Sequence, residues 1–104
     1  MGDKVYFVSD KGTLVVAVPR AWLAELKVGY NKRNRNPALS YRGITVEFYT
    51  VGHGPVIDQM WRKISEEDFV EGRDEWESAA MTAVFGCSHE YINFEKVIKH
   101  LSSL

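Results

Sequence analysis

The chain has 104 residues, 45% of them hydrophobic and 12% aromatic, with a formal net charge of -1. That composition supplies one core for one domain spanning residues 1–104, and it excludes a disordered chain. No apolar run approaches the roughly 18 residues that a membrane span needs, and the single cysteine, Cys87, excludes an internal disulfide.

Taken in chain order, Lys4 to Ser9 is β-branched and aromatic and predicts a strand. Asp10-Lys11-Gly12 is a turn signal, and Thr13 to Val18 is a short apolar run suited to a buried strand. Pro19 stands where a helix starts, because its missing N–H costs nothing there. Trp22, Leu23 and Leu26 then share a helical face over 20–28, and Gly29 supplies a stop. Residues 30–40 are polar and basic, a loop or an exposed edge strand, since Pro37 cannot donate to a ladder. Ile44, Val46 and Phe48 alternate with Thr45, Glu47 and Tyr49, which predicts a half-buried strand over 44–51. Gly52-His53-Gly54-Pro55 is a turn, and 56–64 reads as a returning strand or a helix. Ser65, with Asp68 three residues on, resembles a capping box and opens a short helix at 66–71. A second helix is expected over about 74–85, with Trp76, Ala80, Ala83 and Val84 at helical spacing. A strand at about 90–96 and a short C-terminal helix carrying Phe94, Val97, Ile98 and Leu101 complete the chain. The predicted class is α+β, a small curled antiparallel sheet or barrel with short packed helices.

Charge is unevenly spread. Residues 1–50 hold eight Lys/Arg against four Asp/Glu, and residues 51–104 hold five against ten. The basic excess lies between Arg20 and Arg42, where a phosphate ligand would go, and the acidic excess lies between Glu66 and Glu77. Lys32, Arg33, Arg35 and Arg42 are interleaved with Tyr30 and Tyr41. In such a pattern cations hold phosphates, tyrosine faces stack bases, and Asn31, Asn34 and Asn36 would read base edges. The plainer reading is a polar surface loop. Trp61, beside Arg62 and Lys63, is the tryptophan best placed to be an exposed stacking ring; Trp22 and Trp76 read as core. Cys87 and His89, with His53 distant, fall short of the three or four ligands of a zinc site, so no metal and no cofactor is expected. A Cys87–His89 nucleophile pair would need partners that only folding can bring together. The N-terminus, Met1-Gly2-Asp3-Lys4, lacks a signal-peptide layout, and with one cysteine an intracellular, cytoplasmic protein without membrane partners is expected.

Five pieces stand in a shared order. Val15-Val16-Ala17-Val18-Pro19 precedes the segment Ala21 to Lys27, Gly29, Lys32 and Arg35. Ile64-Ser65-Glu66-Glu67-Asp68-Phe69-Val70-Glu71-Gly72 precedes Asp74-Glu75-Trp76-Glu77, and Phe94-Glu95-Lys96-Val97 closes the series. Together, over residues 13–97, they resemble the ASCH domain, a PUA-like fold. The spacing departs at one point, with Lys32 three residues after Gly29 instead of two. The resemblance implies a PUA-like β-barrel that binds RNA or a modified nucleoside in a cleft between the basic 29–42 segment and the 64–72 corner. It also implies, as an alternative, an amidohydrolase acting on an acylated cytidine-like substrate through Lys32 and Glu71, or a ribonuclease-type activity. In such a cleft a lysine polarises a carbonyl or water and a tuned glutamate acts as general base; on an open surface the same two residues are a solvated loop lysine and a helix-end carboxylate. A third reading gives the acidic 66–77 helices to a basic protein partner.

Overall fold

The computed structural model describes residues 3–8, 14–48, 62–72 and 90–103. The fold is α+β. Its strands are β1 (Lys4–Val8), β2 (Leu14–Pro19), β3 (Leu26–Asn31), β4 (Pro37–Tyr41), β5 (Ile44–Glu47), β6 (Arg62–Lys63), β7 (Phe69–Glu71) and β8 (Glu90–Asn93), followed by helix α1 (Phe94–Ser102). Short 3-10 turns at Arg20–Glu25 and Glu66–Asp68 precede β3 and β7. The strands form two sheets, not one closed barrel: β1-β2-β8 and β6-β5-β4-β3-β7. The five-stranded sheet is antiparallel throughout. In the smaller sheet β1 pairs antiparallel with β2, while β8 lies parallel to β2.

Period-2 alternation accounts for the inner faces. Val16 and Val18 of β2, Leu26 and Val28 of β3, Leu39 and Tyr41 of β4, and Val46 of β5 are buried in one core. Helix α1 covers this core with Phe94, Val97 and Ile98, all buried. Its start is fixed by Asn93, whose side-chain oxygen accepts from the Lys96 N–H at 3.3 Å, and Glu95 pairs with Lys99 one turn on at 3.2 Å. Trp22 is held in the same core, stacked on Tyr41 with centroids 4.1 Å apart and edge-on to Phe94 at 6.1 Å.

Two predicted helices are corrected. Residues 20–28 form a 3-10 turn and then a strand, because Leu26, Val28 and Tyr30 alternate at strand spacing and β4 offers them a partner. Residues 66–71 form a three-residue 3-10 turn and then β7, and Ser65 makes no side-chain cap. The helix predicted at 74–85 and the turn at 52–55 lie outside the described residues. The strands predicted at 4–9, 13–18, 44–51 and 90–96 are present as 4–8, 14–19, 44–47 and 90–93, with 94–96 belonging to the C-terminal helix and residues 9, 13 and 49–51 outside the described residues. Pro37 begins β4, the position in a strand where a missing N–H is tolerated.

Gly29 is not a helix stop. It sits inside β3 opposite Glu71, and a Cβ there would lie 2.1 Å from the Val70 carbonyl oxygen and 2.7 Å from the Phe69 ring. Only glycine lets β7 approach this closely. Gly29→Ala is therefore expected to destabilise the fold by about 1–3 kcal/mol, read as a lowered midpoint in urea unfolding. An unchanged midpoint would contradict the β3–β7 pairing.

Candidate nucleic-acid interface

Across the five-stranded sheet runs a row of register partners, Arg62, Glu47, Ala38, Gly29 and Glu71, one from each strand. Glu47 is completely buried, with 0% exposure. An isolated buried carboxylate is strongly disfavoured, so it requires donors. Three come from the turn between β3 and β4. Asn31 Nδ2 donates to Glu47 Oε1 at 3.3 Å, and Asn34 Nδ2 and Asn36 Nδ2 donate to Oε2 at 2.9 and 2.7 Å.

Two of these asparagines also shape the turn with their oxygens. Asn31 Oδ1 accepts from the Arg33 N–H at 2.8 Å, and Asn34 Oδ1 accepts from the Asn36 N–H at 3.0 Å. Backbone bonds from Arg35 N–H to the Asn31 carbonyl (2.8 Å) and from Asn31 N–H to the Asn36 carbonyl (2.9 Å) close the loop. Asparagine suits both tasks, since its side chain holds a donor and an acceptor, whereas aspartate offers acceptors only. The three asparagines expected to read base edges thus each give an amide hydrogen bond to Glu47, and Asn34 stays exposed.

The anchored loop presents Lys32, Arg33 and Arg35 to solvent, with Asn34 exposed among them. Arg33 Nε lies 3.2 Å from Asp68 Oδ1, with the Arg33 side chain 75% exposed and that of Asp68 only 14%. Asp68 Oδ1 accepts no well-aligned hydrogen bond, so this contact acts through charge. The Lys32 N–H donates to the Asp68 carbonyl at 2.7 Å, which ties the loop to the turn before β7. Arg35 has φ 65°, a left-handed backbone uncommon for a residue with a long side chain. Its guanidinium lies 5.3 Å from the Tyr30 ring centroid.

The basic residues named from sequence divide into two groups. Tyr30, Lys32, Arg33 and Arg35 stand at one end of the β3–β4 hairpin. Tyr41 and Arg42 stand at the other, four residues along β4, or about 13 Å away. Trp61 lies outside the described residues, as do Cys87, His89 and His53. Lys32 and Glu71 are not brought together. Glu71 pairs with Gly29, while Lys32 bonds to Asp68, which sets them three registers, or about 10 Å, apart along the ladder. Within the two segments expected to flank a cleft, 29–42 and 64–72, residues 29–31 and 69–71 are hydrogen-bonded neighbours in one sheet. Sequence reasoning missed Glu47. It sits at a polar position of an alternating strand, and nothing in that alternation distinguishes a buried carboxylate from a solvated one.

Among the described residues no helix is long and apolar enough to cross a membrane. Glu47→Gln replaces one acceptor oxygen with a donor that faces other donors. It is expected to cost about 2–4 kcal/mol, measured by denaturant unfolding, with Asn34→Asp destabilising in the same way by setting carboxylate against carboxylate. Wild-type stability in both variants would remove Glu47 as the loop's anchor. Comparison with protein-family models, with curated proteins and with solved structures returns no match.

Proposed function

We propose that this protein is an RNA-binding domain that holds single-stranded RNA on the outside of the 31–36 loop. The observation that carries this reading is the fixation of that loop on buried Glu47 by three asparagine amides. A loop held this firmly presents Lys32, Arg33 and Arg35 at little ordering cost on binding. Arg35 stacked against Tyr30 adds a flat, positively charged surface that suits an unstacked base next to its phosphate. The Arg33 side chain is 75% exposed beside Asp68, so its outward edge can meet a phosphate without leaving that carboxylate.

The resemblance to ASCH domains supports the same class of ligand. The amidohydrolase reading needs Lys32 and Glu71 side by side, and the β3–β7 register separates them, so binding is the activity that the geometry favours. The protein-partner reading rests on an acidic segment of which Glu66, Glu67, Asp68 and Glu71 are described, in a 3-10 turn and a strand and not in helices, while Asp74, Glu75 and Glu77 lie outside the described residues.

The test is fluorescence anisotropy with a labelled single-stranded RNA and an equal-length DNA across a salt series. Three phosphate contacts on a single strand give a log–log salt slope of about -2. The Arg33→Ala/Arg35→Ala double variant is expected to flatten that slope to about -0.7 and to lose most of the affinity, with its circular dichroism unchanged. Absence of salt-sensitive RNA binding in the native chain would refute the proposal, and equal affinity in the double variant would remove the loop as its seat.

A further inference from the structure

At the opposite end of the β3–β4 hairpin lies a groove of about 690 Å³, within the size range of small-molecule sites. Three elements enclose it: the 3-10 turn Arg20–Glu25, the β4–β5 turn, and the last turns of α1. Trp22, Ile44 and Ile98 supply its apolar lining. Its polar groups come from separate walls, with Glu25 on the 3-10 turn, Arg42 on the hairpin, and Lys99 and Ser102 on the helix.

Arg42 is the unusual member. It occupies the first central position of the two-residue turn between β4 and β5 and has φ 50°, with Gly43 following at φ 83°. Turns with positive φ at both positions favour Asn-Gly or Gly-Gly, and a long side chain at the first position costs backbone energy. Strain of this kind collects at ligand sites. The conformation sets the guanidinium 5.2 Å from the Tyr41 ring centroid and in contact with Glu25, to which Nη2 donates at 3.0 Å and Nε at 3.2 Å. Hydrogen bonding to Glu25, and then its charge, raises the Arg42 pKa above the ordinary arginine value. Both groups of the pair are exposed, at 66% and 52%, and an exposed pair exchanges partners at little cost. Lys99 is exposed on the facing wall and is likewise held only by a surface carboxylate, that of Glu95.

We propose that this groove binds a small aromatic anion, a planar ring bearing a carboxylate or a phosphate. The ring lies on Trp22 and the two isoleucines. The anionic group takes the place of the Glu25 carboxylate on Arg42 and is met from the other wall by Lys99. The inference rests on the groove alone and is independent of the RNA reading, whose residues stand at the other end of the hairpin.

The test is an NMR titration of the full chain, following the Arg42, Gly43 and Ser102 amides. The probes are benzoate, phenyl phosphate, phenol (a ring without charge) and inorganic phosphate (a charge without a ring). Benzoate or phenyl phosphate is expected to shift these amides and to bind about tenfold more tightly than phenol or inorganic phosphate, and the better of the two identifies the anionic group. Arg42→Gly keeps the turn, because glycine suits its backbone, and is expected to reduce aromatic-anion affinity to the phenol level without lowering the melting temperature. Lys99→Ala weakens binding by a smaller factor. Glu25→Gln strengthens it, because the competing carboxylate is gone. Phenol binding as tightly as benzoate, no effect of Arg42→Gly, or no shift with any probe would each overturn the proposal. None of these outcomes bears on the anisotropy experiment with the Arg33→Ala/Arg35→Ala variant.

Discussion

Among the described residues, the structure is organised around a buried carboxyl group. Glu47 has no contact with water, and a carboxylate removed from water must be met by donors or the fold fails. The chain meets it with a six-residue turn that holds three asparagines and sends all three amides to one carboxylate. This couples features that would otherwise vary independently. Shifting β5 by one residue would turn Glu47 into the apolar core and Val46 toward the asparagines, so the polar cluster and the core specify the same register. It also fixes which side chains of the loop stay outside. Once residues 31, 34 and 36 point at Glu47, residues 32, 33 and 35 are left to solvent, and all three are cations.

Each end of the β3–β4 hairpin carries an arginine in left-handed backbone beside a tyrosine ring, and the two arise from different constraints. Arg35 is left-handed because the loop must reverse between Asn34 and Asn36 while both amides reach the same oxygen of Glu47. Arg42 is left-handed because a two-residue connection between twisted strands demands it. Left-handed backbone costs roughly 1–2 kcal/mol at a residue with a Cβ. At Arg35 the asparagine network offsets that cost, whereas at Arg42 a glycine would fit the turn at least as well. The arginine at position 42 therefore calls for an explanation in what its side chain does.

The elements legible in the sequence were those whose pattern is dense within a single segment. β1, β2 and β5 alternate or run apolar over four to six residues, and α1 has an asparagine cap and four apolar residues on one face. The misread elements were those in which two periods overlap. Trp22, Leu23 and Leu26 fit one face of a helix, yet Leu26, Val28 and Tyr30 fit a strand, and pairing with β4 decided between them. Phe69-Val70-Glu71 is too short to declare itself, since a three-residue strand exists only through its partner. For the site, sequence identified the cations and tyrosines but assigned the asparagines to a ligand, because a donor's partner sixteen residues away leaves no trace in local spacing.

The absence of a gap between β3 and β7 bears on what kind of ligand the basic segment can take. A pocket for a free nucleoside has to be concave and must exclude water around the base, and the expected place for it is filled by a ladder so close that Gly29 has no room for a side chain. A cationic loop that projects from the end of a sheet suits a strand of RNA, which follows exposed charge and needs no enclosure. An open groove with aromatic residues in its lining and cations at its rim lies instead at the other end of the hairpin. The two ends thus differ in shape, a projecting cationic loop at one and an open groove at the other.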